Sequence, residues 1–160
     1  MSYRTAASRR ERLVADFPAR CRATGLHLTP QRQAIYEALA ASSAHPSAEQ
    51  LHAELRERVP SLSLATVYKT LEALTRVGLI GMLNVVHERA RYDAETARHH
   101  HLVCERCKEV VDVHDPSLDA LRAPAARRHG FSVRDHSVHF YGLCALCAGA
   151  GHAHQTRPRS

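Results

Sequence analysis

At 160 residues, 44% of them hydrophobic, the chain can bury the core of one ordinary domain or of two small ones. That composition excludes a disordered or collagen-like chain, and no apolar run reaches membrane length. A formal net charge of +6 is compatible with a polyanionic partner, and MSYRTAASRRERL lacks the apolar segment of a secretory signal, so a cytoplasmic protein is expected.

Residues 8–23 space Leu13, Val14, Phe17 and Cys21 three and four apart, which predicts an amphipathic helix with Cys21 on its buried stripe. Arg4, Arg9, Arg10, Arg12, Arg20, Arg22 and Arg32 are opposed in this region only by Glu11 and Asp16, so phosphate contacts are sought here first. Gly25 breaks the helix. Thr29-Pro30 opens a second one, which runs to Ala41 past Ile35 and Leu39. After a loop containing His45, Ser47-Ala-Glu-Gln50 has the capping-box pattern and starts a third helix, through Leu51, Leu55 and Val59 to Pro60.

Ser63 begins a fourth helix, with Leu64, Val67, Leu71 and Leu74 facing inward and Gly78 as its stop. Short helices, a turn and a helix carrying Ser63, Thr66, Tyr68 and Lys69 near its start match a helix-turn-helix, whose second helix reads the major groove. Leu79 to Val85 and Glu88 to Asp93 read as a hairpin, hence a wing. The competing reading is an ordinary small helical bundle.

Glu95 to Arg98 reads as a hinge. Beyond it come strands His99 to Cys104 and Glu109 to Val113, a helix from Pro116 to Arg128 capped by Asp115, and strands near Phe131 to Val133 and Ser137 to Leu143. So small a unit is marginal alone, and zinc and a partner subunit are the natural remedies. The expected fold is therefore α+β. A winged helix-turn-helix domain (1–94) and a hinge (95–98) precede a small α/β domain (99–148), and a disordered tail (149–160) follows.

Cys104 and Cys107 form one C-x-x-C and Cys144 and Cys147 another; together they can complete a closed tetrahedral S4 shell for Zn2+, with thiol-disulfide redox chemistry as the competing reading. A closed shell leaves no position for substrate, so such an ion stabilises folding. His99 and His101 share one strand face, and Asp93 and Asp112 bracket them. This imidazole and carboxylate mixture suits Fe2+, Mn2+ or Ni2+, with solvated surface residues as the alternative. His45 would make the site span both domains. His100 points to the opposite face, toward a possible third set with Asp119 and His136.

Thr29-Pro30-Gln31-Arg32, His45-Pro46-Ser47-Ala48, Leu64-Ala65-Thr66-Val67-Tyr68, Arg91-Tyr92-Asp93, His99 through Cys107 and Tyr141-Gly142-x-Cys144-x-x-Cys147 resemble, in order and interval, the ferric uptake regulator (Fur) family. The resemblance implies a homodimer with an N-terminal winged helix and a C-terminal dimerisation domain, acting as a repressor on a palindromic operator in double-stranded DNA. Within the family the chain looks most like the peroxide-sensing branch. His45, Asp93, His99, His101 and Asp112 match that branch's regulatory ligands for Fe2+ or Mn2+, with Asp112 where iron-uptake regulators usually have Glu. The implied mechanism is oxidation of a ligand histidine by peroxide at bound Fe2+, with His45 and His99 the carried-over positions, followed by release of DNA.

Two departures stand out: His27 replaces a basic residue, and Lys69 follows Tyr68 where many relatives have Arg. The alternatives are a regulator of the same family that senses iron, zinc or nickel level and, from another class, a zinc-stabilised thiol enzyme or a structural adaptor.

Overall fold

The computed structural model describes residues 6–84, 89–123, 126 and 128–149. The chain divides into two compact units, Met1–Thr96 and Ala97–Ser160.

Unit 1 opens with α1 (Ala6–Ala23), α2 (Pro30–Ala41), α3 (Ala48–Leu55) and α4 (Leu64–Arg76), followed by strands β1 (Gly81–Leu83) and β2 (Arg91–Asp93). Each boundary has a local cause. Thr29 accepts from the Arg32 N–H with Pro30 at the first helical position, Ser47 and Gln50 form the full capping box, and Ser63 accepts from the Thr66 N–H. At the other end of α4, Gly78 takes φ 72° while its N–H bonds Thr75 O and the Leu79 N–H bonds Leu74 O. This is a Schellman stop, which a residue with a Cβ enters only at a cost.

The core of unit 1 joins all four helices. Phe17 stacks on Tyr36 with ring centroids 3.8 Å apart, and Cys21, Ile35, Leu51, Leu55, Val67, Leu71 and Leu74 are fully buried. Cys21 thus has the structural place its helix position predicted, and burial raises its thiol pKa. The third helix ends at Leu55 rather than Val59, and the chain continues as a turn in which the Val59 N–H bonds the Leu55 carbonyl at 2.8 Å before Pro60. β1 and β2 pair antiparallel, Met82 opposite Tyr92. The predicted wing strands were longer; Val85 to Glu88 lie outside the described residues.

Unit 2 is a three-stranded sheet in the order β4-β3-β5, with β3 (His100–Cys104) antiparallel to β4 (Val110–Val113) and parallel to β5 (His139–Gly142). Short helices α5 (Pro116–Asp119) and α6 (Ala145–Gly149) accompany it, and among the described residues Ala126 and Arg128 are also helical. Asp115 caps α5 as expected, but the helix is interrupted after Asp119 rather than running unbroken to Arg128, although Ala126 and Arg128 are again helical. Leu121 to Ala123 are irregular, Ala123 again being a residue that precedes a proline, while Pro124, Ala125 and Arg127 lie outside the described residues. The strand expected at Phe131 to Val133 does not form. β3 already has both its edges paired, so this segment has no free edge of β3 to join, and Phe131 and Val133 stay exposed. The tail from residue 150 onward also lies outside the described residues.

Candidate metal centres and DNA-reading face

The β3–β4 turn presents Cys104 and Cys107, and the start of α6 presents Cys144 and Cys147. One sulfur from each lies within 4.8 Å of the others, and Cys107 Sγ to Cys144 Sγ is 3.7 Å. A tetrahedron with bonds of about 2.3 Å spaces its sulfurs about 3.8 Å apart, whereas a disulfide needs about 2.05 Å. The convergence of four sulfurs on one point, rather than of two, favours a metal over redox pairing. Backbone N–H groups of Cys144, Cys107 and Arg106 lower the Cys104 pKa to about 6. Burial, with the neighbouring sulfurs adding to it, pushes Cys147 up to about 12. A dication held by all four sulfurs removes that conflict by stabilising each as thiolate, so the donors fit Zn2+.

The imidazole and carboxylate donors fall into a pair within unit 1 and a trio within unit 2. In unit 1, His45 is 3% exposed and has a left-handed backbone at φ 48°, sparsely populated for a residue with a Cβ. The Tyr92 N–H bonds Pro46 O at 3.1 Å, fastening this loop to β2, and His45 Nε2 lies 3.3 Å from Asp93 Oδ2. In unit 2, His101 stands opposite Asp112 in the β3–β4 register; Asp112 Oδ1 is 3.7 Å from His99 Nε2 and 3.9 Å from His101 Nε2. His99 Nδ1 meets the Ala97 carbonyl at 2.7 Å, so that nitrogen carries the proton and Nε2 keeps its lone pair. Metal-binding histidines are typically oriented in this way. An ion with bonds of about 2.1 Å spaces adjacent donors about 3 Å apart and opposite donors about 4 Å, so both sets have the separations of ligands.

The third predicted set behaves differently. His100 is fully buried, its Nδ1 accepts from the Val138 N–H at 3.1 Å, and its Nε2 contacts Asp119 Oδ1 at 3.2 Å. His136 Nε2 bonds the Leu118 carbonyl at 2.8 Å. His100 and His136 thus tie β3, α5 and the segment before β5 together, and the three residues do not form a ligand cluster among the described residues.

On unit 1, the first turns of α4 expose Ser63, Ala65, Tyr68 and Lys69, while Val67 and Thr70 face the core. Ser63 and Thr66 hydroxyls lie 2.8 Å apart and serve the cap, and Arg32 donates to the His27 carbonyl. Sequence reasoning missed the partner of Tyr68: its hydroxyl donates to Glu49 at 2.7 Å, and Glu49 pairs with Arg89 at 2.5 Å. It also missed Arg9, which reaches Asp93 from α1. No local spacing signals either contact.

The Ferric uptake regulator family matches residues 23–141. The chain belongs to this family. A Peroxide operon regulator of Bacillus subtilis (strain 168) is 40% identical over 125 residues, covering 78% of this chain and 86% of that protein. A Peroxide-responsive repressor PerR of Staphylococcus epidermidis is 35% identical over 133 residues, covering 83% and 89%. A zinc uptake regulator complexed with zinc and DNA is 25% identical in structure-based comparison, with a TM-score of 0.67 and coverage of 87% and 95%. Fur-family homologues are dimeric, metal-dependent DNA-binding regulators, and this chain is a transcription regulator of that kind. No described helix is long and apolar enough to cross a membrane.

Proposed function

We propose that the chain is a cytoplasmic, non-enzymatic repressor that binds a palindromic operator as a homodimer and releases it when peroxide oxidises a ligand histidine. The observation that carries this reading is the donor set: three imidazoles and two carboxylates in two incomplete groups, His45 with Asp93, and His99 with His101 and Asp112. Neither group alone supplies a full shell. One Fe2+ or Mn2+ shared between them would complete it, and the five residues between Asp93 and His99 keep these ligands within about 20 Å along the chain.

The residues divide the work. His45 and Asp93 would fix the first half of the shell on the DNA-reading unit, and His99, with its proton committed to Ala97, holds its buried Nε2 3.7 Å from Asp112 Oδ1. When bound at these ligands, Fe2+ would promote cleavage of the peroxide O–O bond, with one oxygen leaving as water and the other replacing a C–H hydrogen of a ligand imidazole, so that the ring is oxidised by two electrons and the peroxide reduced by two; Mn2+ would resist that reaction. His45 and His99 are the positions at which this oxygen is expected. Losing one imidazole weakens the shell, and with it the preference for the DNA-binding arrangement; a switch from 1:99 to 99:1 needs about 5.5 kcal/mol of such preference. Arg32, Ser63, Thr66, Tyr68 and Lys69 are assigned to DNA contact, with Tyr68 and Lys69 on the exposed face of α4. The four cysteines hold Zn2+ and stabilise unit 2.

The test is operator binding by the zinc-loaded chain with Mn2+ or Fe2+, before and after brief peroxide. Binding is expected with either ion and its loss only in the Fe2+ form. Equal survival of both forms would instead indicate a sensor of metal level.

A further inference from the structure

Asp93 is held from two sides. Its Oδ2 lies 3.3 Å from His45 Nε2, while its Oδ1 accepts from Arg9 Nη2 at 3.1 Å and from the Glu95 N–H at 2.8 Å. Arg9 comes from α1, 84 residues away in sequence. Its Nε also meets Glu95 Oε2 at 3.4 Å, and Arg12 reaches that same oxygen at 3.4 Å without touching Asp93. Asp93 is 5% exposed and the Arg9 side chain 24%, so this ion pair is shielded from water on the carboxylate side.

We propose that Arg9 is a positioning residue for the regulatory metal: by occupying Oδ1 it restricts Asp93 to ligation through Oδ2 alone and aims that oxygen beside His45. The inference rests on the reading of Asp93 as a ligand. Oδ1 receives two donors, one of them charged, so its lone pairs are committed, and the lone pairs of Oδ2 face the imidazole. The guanidinium suits this task because its fork spans Asp93 through Nη2 and Glu95 through Nε, a geometry the single ammonium of Lys cannot reproduce. One-oxygen ligation leaves a coordination position that a second carboxylate oxygen would otherwise fill. The same contact ties α1 to a metal ligand. A purely structural ion pair would fasten α1 to β2 without affecting the bound ion.

The test is Co2+ titration of the full chain with its cysteine site filled by zinc, read by visible absorption, with Mn2+ affinity from competition. Variants are Arg9→Gln, Arg9→Lys, Arg12→Gln and Asp93→Asn, and thermal melts of the forms without added Co2+ confirm folding. Removing a residue that orients a ligand commonly costs ten- to a hundredfold in affinity. Arg9→Gln is expected to weaken binding about tenfold, or about 1.4 kcal/mol, and to shift the Co2+ bands as Asp93 becomes free to use both oxygens. Arg9→Lys should fall between it and the parent, and Arg12→Gln should stay within about twofold of the parent. Parent-like affinity and spectrum in Arg9→Gln, or equal weakening by Arg12→Gln, would overturn the proposal. Asp93→Asn separates the two levels: if it binds like the parent, Asp93 is not a ligand and the underlying reading fails. If it loses binding while Arg9→Gln does not, only the positioning role fails. Should Arg9→Gln not fold, Arg9→Lys carries the same comparison.

Discussion

Glu49 sets the charge beside the DNA-reading helix. Burial pushes its carboxyl up, but hydrogen bonds from Tyr68, its own backbone N–H and Ser47, with the charge of Arg89, outweigh that and hold it below the ordinary value. A negative charge therefore faces any phosphate that approaches Tyr68, and it must be offset when DNA binds. Glu49→Gln removes it while keeping a group that can accept from the Tyr68 hydroxyl. Operator affinity at fixed salt is expected to rise about threefold, the scale of one phosphate contact, as read by fluorescence anisotropy. Unchanged or weaker binding would mean that Glu49 holds Tyr68 in a conformation DNA needs. The pairing of this residue was invisible in the sequence because its partners are 19 and 40 positions away and no periodicity links them, and the same holds for Arg9, read as a phosphate-contact candidate but paired with Asp93 and Glu95. Ser63 and the C-x-x-C pairs were legible because a cap and a chelating turn are written in adjacent residues.

At the level of elements, the helix ends of unit 1 follow local chemistry closely. Gly78 is the clearest case: no atom lies within 4 Å of where a Cβ would sit, so Gly78→Ala meets no steric obstacle and its cost is the φ of 72° itself. The expected loss is about 1 kcal/mol of unfolding free energy in a urea melt. A neutral or stabilising result would show that α4 can end another way. Unit 2 was less legible. Its predicted helix from Pro116 to Arg128 is interrupted after Asp119, with Ala126 and Arg128 helical again, and its predicted strand at Phe131 to Val133 did not form, since continuity and pairing depended on partners that local patterning does not identify. The third set of donors is not gathered into a ligand cluster among the described residues. A shared face put His100 near Asp119 and His136, but the hydrogen bonds that commit His100 Nδ1 and His136 Nε2 come from backbone groups of other segments.

For the molecule as a whole, the proposed function would give the two units different parts of one switch. Unit 1 offers the reading helix together with His45 and Asp93; unit 2 offers the zinc-type cluster together with His99, His101 and Asp112. In the proposed reading, an ion that took ligands from both groups would gain leverage that neither group has alone. The exposed apolar row Val111, Leu102 and Phe140, aligned by the β4-β3-β5 register, is a feature of unit 2 in keeping with the family's dimers.

Peroxide sensing by this ligand set through its own histidines is open to a direct measurement: anaerobic loading with Fe2+, brief exposure to low peroxide, and peptide mass analysis of the stretches holding His45 and His99. A single-oxygen gain on one or both, absent from the Mn2+ form, is expected. Unmodified histidines in a protein that has nonetheless released its DNA would contradict it.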